Sequence, residues 1–318
     1  MNLRHRQRGI AALTAILVVA IATVLAVNLL WRTSVDLRRT ESMLMQDQAR
    51  QINLGLEEAT KYALAEDYRD DGGRSDALDE FWAKPQSFPV DAGKVEGYVQ
   101  DQQGSFDLNS LVDRAGKRVP ETAEQFERLL TLLPLEPRLD PGTARALVDT
   151  TIDWIDSNQS PELEGAEDDR YTSRIPPYRP ANFWFTSTSE LLAVEGYAPA
   201  IYAALKPHVT ALPPVPGQRW KLNLNTATPE VLSSLVSGVT PDDFGGPEAP
   251  ARIFDTVAEF KNEYPEFMEI PDAFLDVKTT WFLLTATASI GTVQSTMYSL
   301  LERNGEVVRT RLRTFDAN

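Results

Sequence analysis

The side chains best suited to chemistry lie in one acidic segment, residues 153–171. Ca²⁺ takes about six to eight oxygen ligands from carboxylates, amides and backbone carbonyls. Carboxylates crowded this closely repel one another unless a cation lies among them. Beyond an expected helix end at Ile155, the segment offers eight suitable side chains, namely Asp156, Asn158, Gln159, Glu162, Glu164, Glu167, Asp168 and Asp169. The segment therefore indicates either a calcium site or a solvated acidic surface.

The residues in and around this segment bear on the choice between a calcium site and a solvated acidic surface. Trp154 and Tyr171 flank it, which indicates a loop anchored on a core rather than a disordered one. An EF-hand is excluded, because Pro161 stands where the turn glycine would follow Asp156.

Helical signals position the acidic segment. Asp140 as the N-cap and Pro141 at the first helical position predict a helix that runs to about Ile155. Its buried face would be Ala144, Leu147, Val148, Ile152 and Ile155. Further helices are predicted over residues 122–133, after a capping box of Ser187 and Glu190, from residue 228, and over residues 255–262, with a rigid Pro-rich connector over residues 207–216.

A weak internal repeat lies in the same region. Residues 222–227 read Leu-Asn-Leu-Asn-Thr-Ala, and the helix that follows makes them similar to the entry of a helix-hairpin-helix or SAM-like unit. Residues 189–197 have a similar layout. In DNA-binding hairpins the turn faces phosphate and lysines support it, whereas Glu195, Asp242 and Asp243 lie here. We therefore expect a structural role and no nucleic-acid binding.

The strand signals fall at two distant places. Residues 94–108 predict one or two short strands, and residues 281–290 and 296–301 predict longer ones. Asn304-Gly305 indicates a type I′ hairpin turn before an alternating run, residues 307–314. Two strands alone make no stable sheet, so the early strands need the C-terminal ones as partners. We expect an α+β fold with a helical insertion; two domains in series are the alternative.

The composition excludes several kinds of site. The 318 residues contain no cysteine and two histidines, His5 and His208, so disulfides, thiolate chemistry and His-rich zinc sites are excluded. No nucleophile elbow, phosphate loop or redox cofactor fingerprint is present, and we expect no catalytic residues and no enzyme activity. The net charge of −15 disfavours nucleic acid and anionic lipid as partners.

The N-terminus predicts a membrane segment. A basic leader that ends in Gly9 precedes an apolar run over residues 10–30, about the length that spans a bilayer as one helix. The basic residues place the N-terminus in the cytoplasm and the bulk of the chain outside. The junction resembles a type IV pilin-like export signal, in which a prepilin peptidase cuts after the glycine. An ordinary signal peptide cut near residues 20–22, or a plain anchor, is the alternative.

The helical pattern continues beyond the apolar run. Apolar and small residues recur at steps of three and four, at Met45, Ala49, Ile52, Leu56, Ala59 and Ala63. We expect one helix from Ile10 to about Glu66, on the order of 85 Å long at 1.5 Å per residue. Its stripe is the candidate contact with partner helices, and part of it must face the chain's own sheet.

Together these features resemble the K-type minor pseudopilin of type II secretion systems, the general secretion pathway protein K family. The resemblance covers nearly the whole chain, and its acidic segment is the most specific part. It rests on Arg8-Gly9-Ile10, on Asp153-Trp154-Ile155-Asp156 through Gly165-Ala166-Glu167-Asp168-Asp169 to Tyr171, on Pro176-Pro177-Tyr178-Arg179, and on Leu222-Asn223-Leu224-Asn225-Thr226-Ala227.

The resemblance implies a pilin-like fold, in which a long N-terminal helix packs on an antiparallel sheet, with a large all-α, SAM-like or helix-hairpin-helix-like insertion. The implied divisions are a leader over residues 1–9, a transmembrane part over 10–30, a pilin domain over 31–108 and 279–318, and an inserted domain over 109–278. One or two structural Ca²⁺ ions are implied. We expect the ligands Asp156, Asn158, Glu167, Asp168 and Asp169, with Glu162 and Glu164 as second choices.

The resemblance also implies cleavage between Gly9 and Ile10, with N-methylation of the new N-terminus at Ile10. Ordinary pilins carry Glu at the fifth mature position, where this chain and the K family do not; the residue here is Thr14. A carboxylate in hydrocarbon is costly unless paired, and a subunit at a tip has no neighbour above it for that pairing. Thr14 therefore fits a tip position, and simple tolerance of a small polar residue is the alternative.

The implied function is that of a minor pseudopilin at the tip of a periplasmic pseudopilus. It would cap or initiate assembly with the I- and J-type minor pseudopilins and support export of folded proteins across the outer membrane. Prepilin peptidase and the inner-membrane secretion platform are the other implied partners, and the location is the inner membrane of a Gram-negative bacterium. A membrane-anchored calcium-binding module and a DNA-uptake pilus component are the alternatives.

Overall fold

The computed structural model describes residues 3–91, 93–216, 219–245 and 250–315, with backbone alone for residues 3–11 and 71. The α-helices are α1 (Leu3–Asp71), α2 (Pro120–Leu132), α3 (Pro141–Ile155), α4 (Asp168–Thr172), α5 (Pro199–Leu205), α6 (Pro229–Leu235) and α7 (Val257–Glu263). Short 3₁₀ helices cover Leu108–Leu111, Thr188–Ala193, Lys206–His208, Pro241–Phe244, Pro265–Phe267 and Asp272–Phe274. The capping box of Ser187 and Glu190 is confirmed, although it opens a 3₁₀ helix.

The first helix is continuous over 69 residues, roughly 100 Å at 1.5 Å per residue. Within the described part of the chain it is the one helix long and apolar enough to cross a membrane, with a mean hydropathy of 2.6 in its most apolar window. Gly55 does not interrupt it. The predicted long helix is therefore confirmed, with its described ends at Leu3 and Asp71.

The strands are β1 (Gln86–Val90), β2 (Gly93–Asp101), β3 (Phe106–Asp107), β4 (Val209–Thr210), β5 (Leu222–Asn223), β6 (Leu275–Asp276), β7 (Trp281–Ile290), β8 (Val293–Asn304) and β9 (Val307–Phe315). Five of them form an antiparallel sheet in the order β1-β2-β7-β8-β9. The central pairing, from Gly93 opposite Ile290 to Asp101 opposite Phe282, confirms that the early strands require C-terminal partners.

Three strand predictions need correction. The predicted strand 296–301 is part of the longer β8, because Met297, Ser299 and Leu301 continue a buried face that begins earlier. A register shift between Leu300 and Leu301 interrupts the alternation expected along β9. The connector predicted over residues 207–216 contains β4, which pairs with β3. The hairpin is confirmed, but its turn is not of type I′, because Gly305 has φ +61° whereas neither Asn304 nor Glu306 has a positive φ.

The C-terminal half of α1 packs on this sheet. Ala49 and Leu64 are fully buried, and Met45, Ile52 and Leu56 pack with Ala49 against β2 and β7. The expectation that part of the stripe faces the chain's own sheet is therefore confirmed at these four positions, and they do not provide the contact with partner helices. A helical period identifies a buried face but does not identify what covers it.

The part of the chain between β2 and β7 forms a separate hydrophobic core. It includes Phe106, Phe126, Leu147 and Phe260, all almost wholly buried, and extends to Val277. Two short parallel ribbons tie each end of this helical region to its middle, because β3 pairs with β4 and β5 pairs with β6. The region therefore leaves the sheet after β2 and rejoins it before β7.

Candidate metal centre

The end of α3 carries three aspartates on one face. Asp140 is the N-cap of this helix, as predicted, and its side chain accepts hydrogen bonds from Gly142 N and Thr143 N at 3.0 Å. Asp149, Asp153 and Asp156 follow at steps of four and three and are almost fully buried. Negative charge at a helix C-terminus opposes the helix dipole, so this face requires compensation.

The acidic loop folds back over these aspartates. The N–H of Glu162 donates to Asp153 Oδ1 at 3.0 Å, and the N–H of Glu164 donates to Asp149 Oδ2 at 3.1 Å. Arg118 donates to Asp149 at 2.6 Å and to Glu162 at 3.1 Å, so it neutralises that end of the loop. A Cβ at Gly165 would collide with the Asp153 carboxylate, so glycine is required there.

Glu167 carries the strongest sign of a cation. Its side chain is buried, and neither carboxylate oxygen has a hydrogen-bond partner among the described residues. Asp168 Oδ1 is buried and unpartnered in the same sense. Burial and then the negative charges of Asp153, Asp156 and Asp168 raise the pKa of Glu167 to about 7. Burying such oxygens without a partner is costly, and a hard cation would satisfy them.

Burial is also the main cause of the raised pKa values of Asp153 and Asp156. It raises the pKa of Asp153 to about 6, with smaller contributions from the charges of Asp156 and Glu162. It raises the pKa of Asp156 to about 6, to which the charge of Glu162 adds. These carboxylates thus repel one another, which is the electrostatic state that a bound cation would relieve.

An aromatic cluster holds the site together. Tyr171 of α4 is fully buried and lies edge-on to Trp154 of α3, with ring centroids 5.4 Å apart. Tyr178 packs against both rings. The prediction that Trp154 and Tyr171 anchor the loop is confirmed.

Comparison with known proteins identifies the family. Residues 104–214 match the family described as Type II secretion system (T2SS), protein K. A protein of Aeromonas hydrophila named Type II secretion system protein K is 32% identical, and the match covers 97% of each chain. The chain belongs to this protein K family. A Pseudomonas aeruginosa protein of the same name is 36% identical over 73% of this chain and 69% of its own.

A solved structure shares the fold. A chain in the crystal structure of the GspK-GspI-GspJ complex from the type 2 secretion system of enterotoxigenic Escherichia coli superposes with a TM-score of 0.74. The match covers 88% of this chain and all of that one, at 23% identity. The combination of a long N-terminal helix, an antiparallel sheet and a helical region is therefore a fold of this protein K family.

In this family member the predicted ligands do not all converge. Asp156 and Glu167 are buried and Asp168 is half-buried, and their charges act on one another. Asn158 is exposed; its Nδ2 donates to Asp156 Oδ2 at 2.7 Å and its Oδ1 accepts from Ser160 N. Asp169 is exposed on α4. The second choices differ as well, since Glu162 pairs with Arg118 and Glu164 is exposed.

Sequence reasoning missed two residues of the site. Asp153 belongs to it, and its spacing from Asp156 on α3 is a signal that could have identified it. Asn182 was missed as well: its Oδ1 is buried and unpartnered within the described residues, and its N–H donates to Trp154 O at 2.9 Å. Its φ of +46° lies in the left-handed region, where asparagine is tolerated, but nothing in the sequence distinguishes it from other asparagines.

The structure describes the backbone alone at Gly9 and Ile10, both within α1. Thr14 lies in the apolar part of the same helix.

Proposed function

We propose that the chain is a minor pseudopilin of the type II secretion system with a pilin-like fold. The observation that carries this proposal is the continuity of α1, which leads from an exposed apolar span directly onto the antiparallel sheet. Such a helix can hold the sheet and the inserted helical domain, residues 109–278, outside a membrane in which its first part is embedded. The repeated capped turns of the insertion support a SAM-like arrangement there.

The proposed location is the inner membrane, with the body of the chain in the periplasm. Arg4, Arg6 and Arg8 before the apolar run support a cytoplasmic N-terminus. Prepilin peptidase would cut between Gly9 and Ile10 and the new N-terminus would be methylated. The inner-membrane secretion platform is then the natural partner for assembly.

The proposed position in the assembly is the tip of the pseudopilus, in contact with the I- and J-type minor pseudopilins. The similar crystal structure is a complex of GspK, GspI and GspJ, and this supports the choice of partners. The inserted domain would obstruct further subunits above this one, and Thr14 lacks the carboxylate that a subunit within a filament would pair. The chain would thereby cap or initiate the filament and support export of folded proteins across the outer membrane.

The contact with partner helices is better served by leucines than by the predicted stripe. Leu30, Leu37 and Leu44 recur every seven residues on α1, and each is about two-thirds exposed. Seven-residue spacing keeps side chains on one face of a helix that packs along another helix. We therefore assign the contact to this face, which lies nearer the membrane than Ala49.

Leu37→Asp tests the assignment, with Ser42→Asp as the control because it adds the same charge elsewhere on the exposed helix. The Leu37 variant should lose co-purification with the I- and J-type proteins and reduce secretion, while its melting temperature stays at the wild-type value. Equal co-purification of both variants with these partners would contradict the proposed contact.

The acidic segment is proposed to bind Ca²⁺ as a structural ion. The proposed ligands are Asp153, Asp156, Glu167 and Asp168, because the charges of the three aspartates act on Glu167 and both oxygens of Glu167 lack a hydrogen-bond partner among the described residues. Asn182 offers a further buried oxygen without a partner among those residues. Asn158 and Asp169 would join only if the loop moved toward the ion. Calcium would then neutralise the C-terminal end of α3 and fix the loop over it.

A further inference from the structure

Residues 222–227, for which the sequence predicts a structural role, lie where the insertion joins the rest of the chain. Leu222 and Asn223 form β5, which pairs with β6 shortly before the chain re-enters the sheet at β7. Asn223 and Asn225 have no exposed surface. A buried amide is costly unless its polar atoms are hydrogen-bonded, so the partners of these two side chains show which parts of the chain each one holds together.

The side chain of Asn223 bonds two parts of the chain that lie outside the insertion. Its Nδ2 donates to Oδ2 of Asp101, the last residue of β2, at 2.8 Å and to the carbonyl oxygen of Asp76 at 3.1 Å. Asp76 lies on the segment that connects α1 to β1. The Oδ1 of Asn223 accepts from Asn225 N at 3.1 Å, so both ends of the amide are bonded. One side chain thus joins the insertion to the sheet and to the segment that follows α1.

Neighbouring contacts strengthen this joint on the side where the chain leaves the sheet. Asn223 N donates to Gln103 O at 2.9 Å. The hydroxyl of Thr226 donates to Oδ2 of Asp101, the same oxygen that accepts from Asn223. A Cβ at Gly104 would lie 2.9 Å from the carbonyl oxygen of Thr226 and would collide with it, so this close approach requires glycine.

The part of the chain that returns to the sheet meets the same joint. Asp76 N donates to Val277 O at 2.8 Å, and Thr279 N donates to Asp76 Oδ2 at 2.8 Å. The Oε1 of Gln103 accepts from Thr280 N at 2.6 Å. The segment that leaves the sheet, the segment that returns to it and the segment that follows α1 are therefore bonded to one another around residues 222–227.

The side chain of Asn225 is equally buried but bonds within the insertion. Its Nδ2 donates to Phe254 O at 3.0 Å, and its Oδ1 accepts from Phe254 N at 2.9 Å. Phe254 belongs to the hydrophobic core of the insertion. The two asparagines of the motif thus have the same burial, but the side-chain bonds of Asn223 cross to the sheet, whereas those described for Asn225 stay within the insertion.

We propose that Asn223, together with Thr226, couples the sheet to the insertion so that the two unfold as one cooperative unit. If either part opened alone, the bonds of both side chains to Asp101 would break, and a buried carboxylate would lose its donors, which is costly. The joint also fixes the orientation of the insertion, with α3 and the acidic loop, relative to α1. This coupling is a property of the fold and does not depend on the proposed calcium site or on the proposed role in secretion.

The test uses the full chain in detergent micelles and measures hydrogen exchange by mass spectrometry at increasing denaturant. Peptides from β7 report the opening of the sheet, and peptides from α3 report the opening of the insertion. In the wild type the slowest-exchanging amides of both should have the same opening constant. In Asn223→Ala the two constants should differ by roughly tenfold or more, because hydrogen bonds to a charged group are lost. In Asn225→Ala, the matched control, both constants should rise together.

A second variant keeps the test decisive if Asn223→Ala does not fold. Thr226→Val keeps the shape of the side chain but removes its bond to Asp101, and it should separate the two opening constants in the same direction. The proposal fails if the constants already differ in the wild type, or if they stay equal in whichever of these two variants folds. It also fails if Asn225→Ala separates them as far as Asn223→Ala does, since loss of any buried amide would then have the same effect.

Discussion

Removal of one ligand from the acidic loop tests the calcium site most sharply. Glu167→Gln keeps the shape of the side chain but removes its charge, and Asp169→Asn is the matched control two residues further on, in the short helix that Glu167 precedes. We expect calcium to raise the melting temperature of the wild type and of Asp169→Asn, and to have much less effect on Glu167→Gln. The two variants separate the buried carboxylates from the exposed ones.

Two free energies bear on the size of the calcium effect: the cost of the ionised Glu167 side chain without calcium, and the stabilisation by bound calcium. The rise in the pKa of Glu167 from 4.5 to about 7 corresponds to about 3 kcal/mol of unfavourable free energy for the ionised side chain in the calcium-free fold. Calcium at about one hundred times its Kd adds roughly 2.7 kcal/mol to the free energy of unfolding. A gain of about 2.7 kcal/mol raises the melting temperature by roughly 4 °C in a chain of this length.

The pH dependence has a defined sign. Without calcium, the raised pKa of Glu167, and those of Asp153 and Asp156, contribute stability that is complete below about pH 4. That stability is lost as the pH rises through 6 and 7. Because calcium binds the deprotonated ligands, the gain that it causes should grow over the same range.

The assay is thermal unfolding by circular dichroism in calcium and in EDTA, from pH 5 to pH 7.5. Equal melting temperatures in the two buffers at pH 7.5 would refute the reasoning. A calcium effect lost in Asp169→Asn but kept in Glu167→Gln would refute the assignment of ligands.

Three further outcomes follow from particular residues. Gly165→Ala should lower the free energy of unfolding by about 1–3 kcal/mol because its Cβ would meet Asp153, whereas Gly55→Ala, with open space on exposed helix, should raise it by about 0.5–1 kcal/mol; denaturant unfolding measures both. Burial alone would raise the pKa of Glu57, but hydrogen bonds from Arg313, Ser299 and Thr310 outweigh it and lower the pKa to about 2, so this contribution to stability is present above pH 4.5 and is lost as the pH falls through 2. Glu57→Gln should therefore destabilise the chain by about 2 kcal/mol at pH 7 and flatten its unfolding curve between pH 4.5 and 2, and an unchanged acid transition would contradict this role. Mass spectrometry of the protein from membranes should give a methylated chain that begins at Ile10, Gly9→Leu should retain the leader, and a mature N-terminus near residue 28 would exclude prepilin processing.

Local signals predicted the elements that local interactions determine. Asp140 followed by Pro141 predicted the start of α3, because the capping hydrogen bonds and the fixed φ of proline act within one turn. Asn304-Gly305 predicted the β8–β9 hairpin, because glycine adopts the positive φ that a tight turn requires. The pairing of the early strands with C-terminal ones was also predictable, because two strands alone do not form a stable sheet, and β2 indeed pairs with β7.

Features that depend on distant neighbours were not predictable in this way. The positions of Ala49 and Leu56 on α1 follow a helical period, but the period is the same whether a sheet or another helix covers them. The register shift opposite Leu300 has no sequence signal, because both flanking residues are apolar and either register buries one of them.

The candidate metal site depends on local sequence signals and also on contacts between residues distant in the chain. Glu167 is the N-cap of α4, with extended backbone, and Asp168 and Asp169 are its first two residues. Successive helical residues point about 100° apart, so Asp168 and Asp169 face in different directions. The α4 helix is five residues long and too short for its phase to be read from apolar spacing. Tyr171, buried against Trp154, fixes that phase and turns Glu167 inward. Asn182 is joined to Trp154, the neighbour of Asp153, by a hydrogen bond between residues 28 apart in the chain. An acidic composition thus identifies the segment, whereas the aromatic contact beside it selects which oxygens a cation can reach.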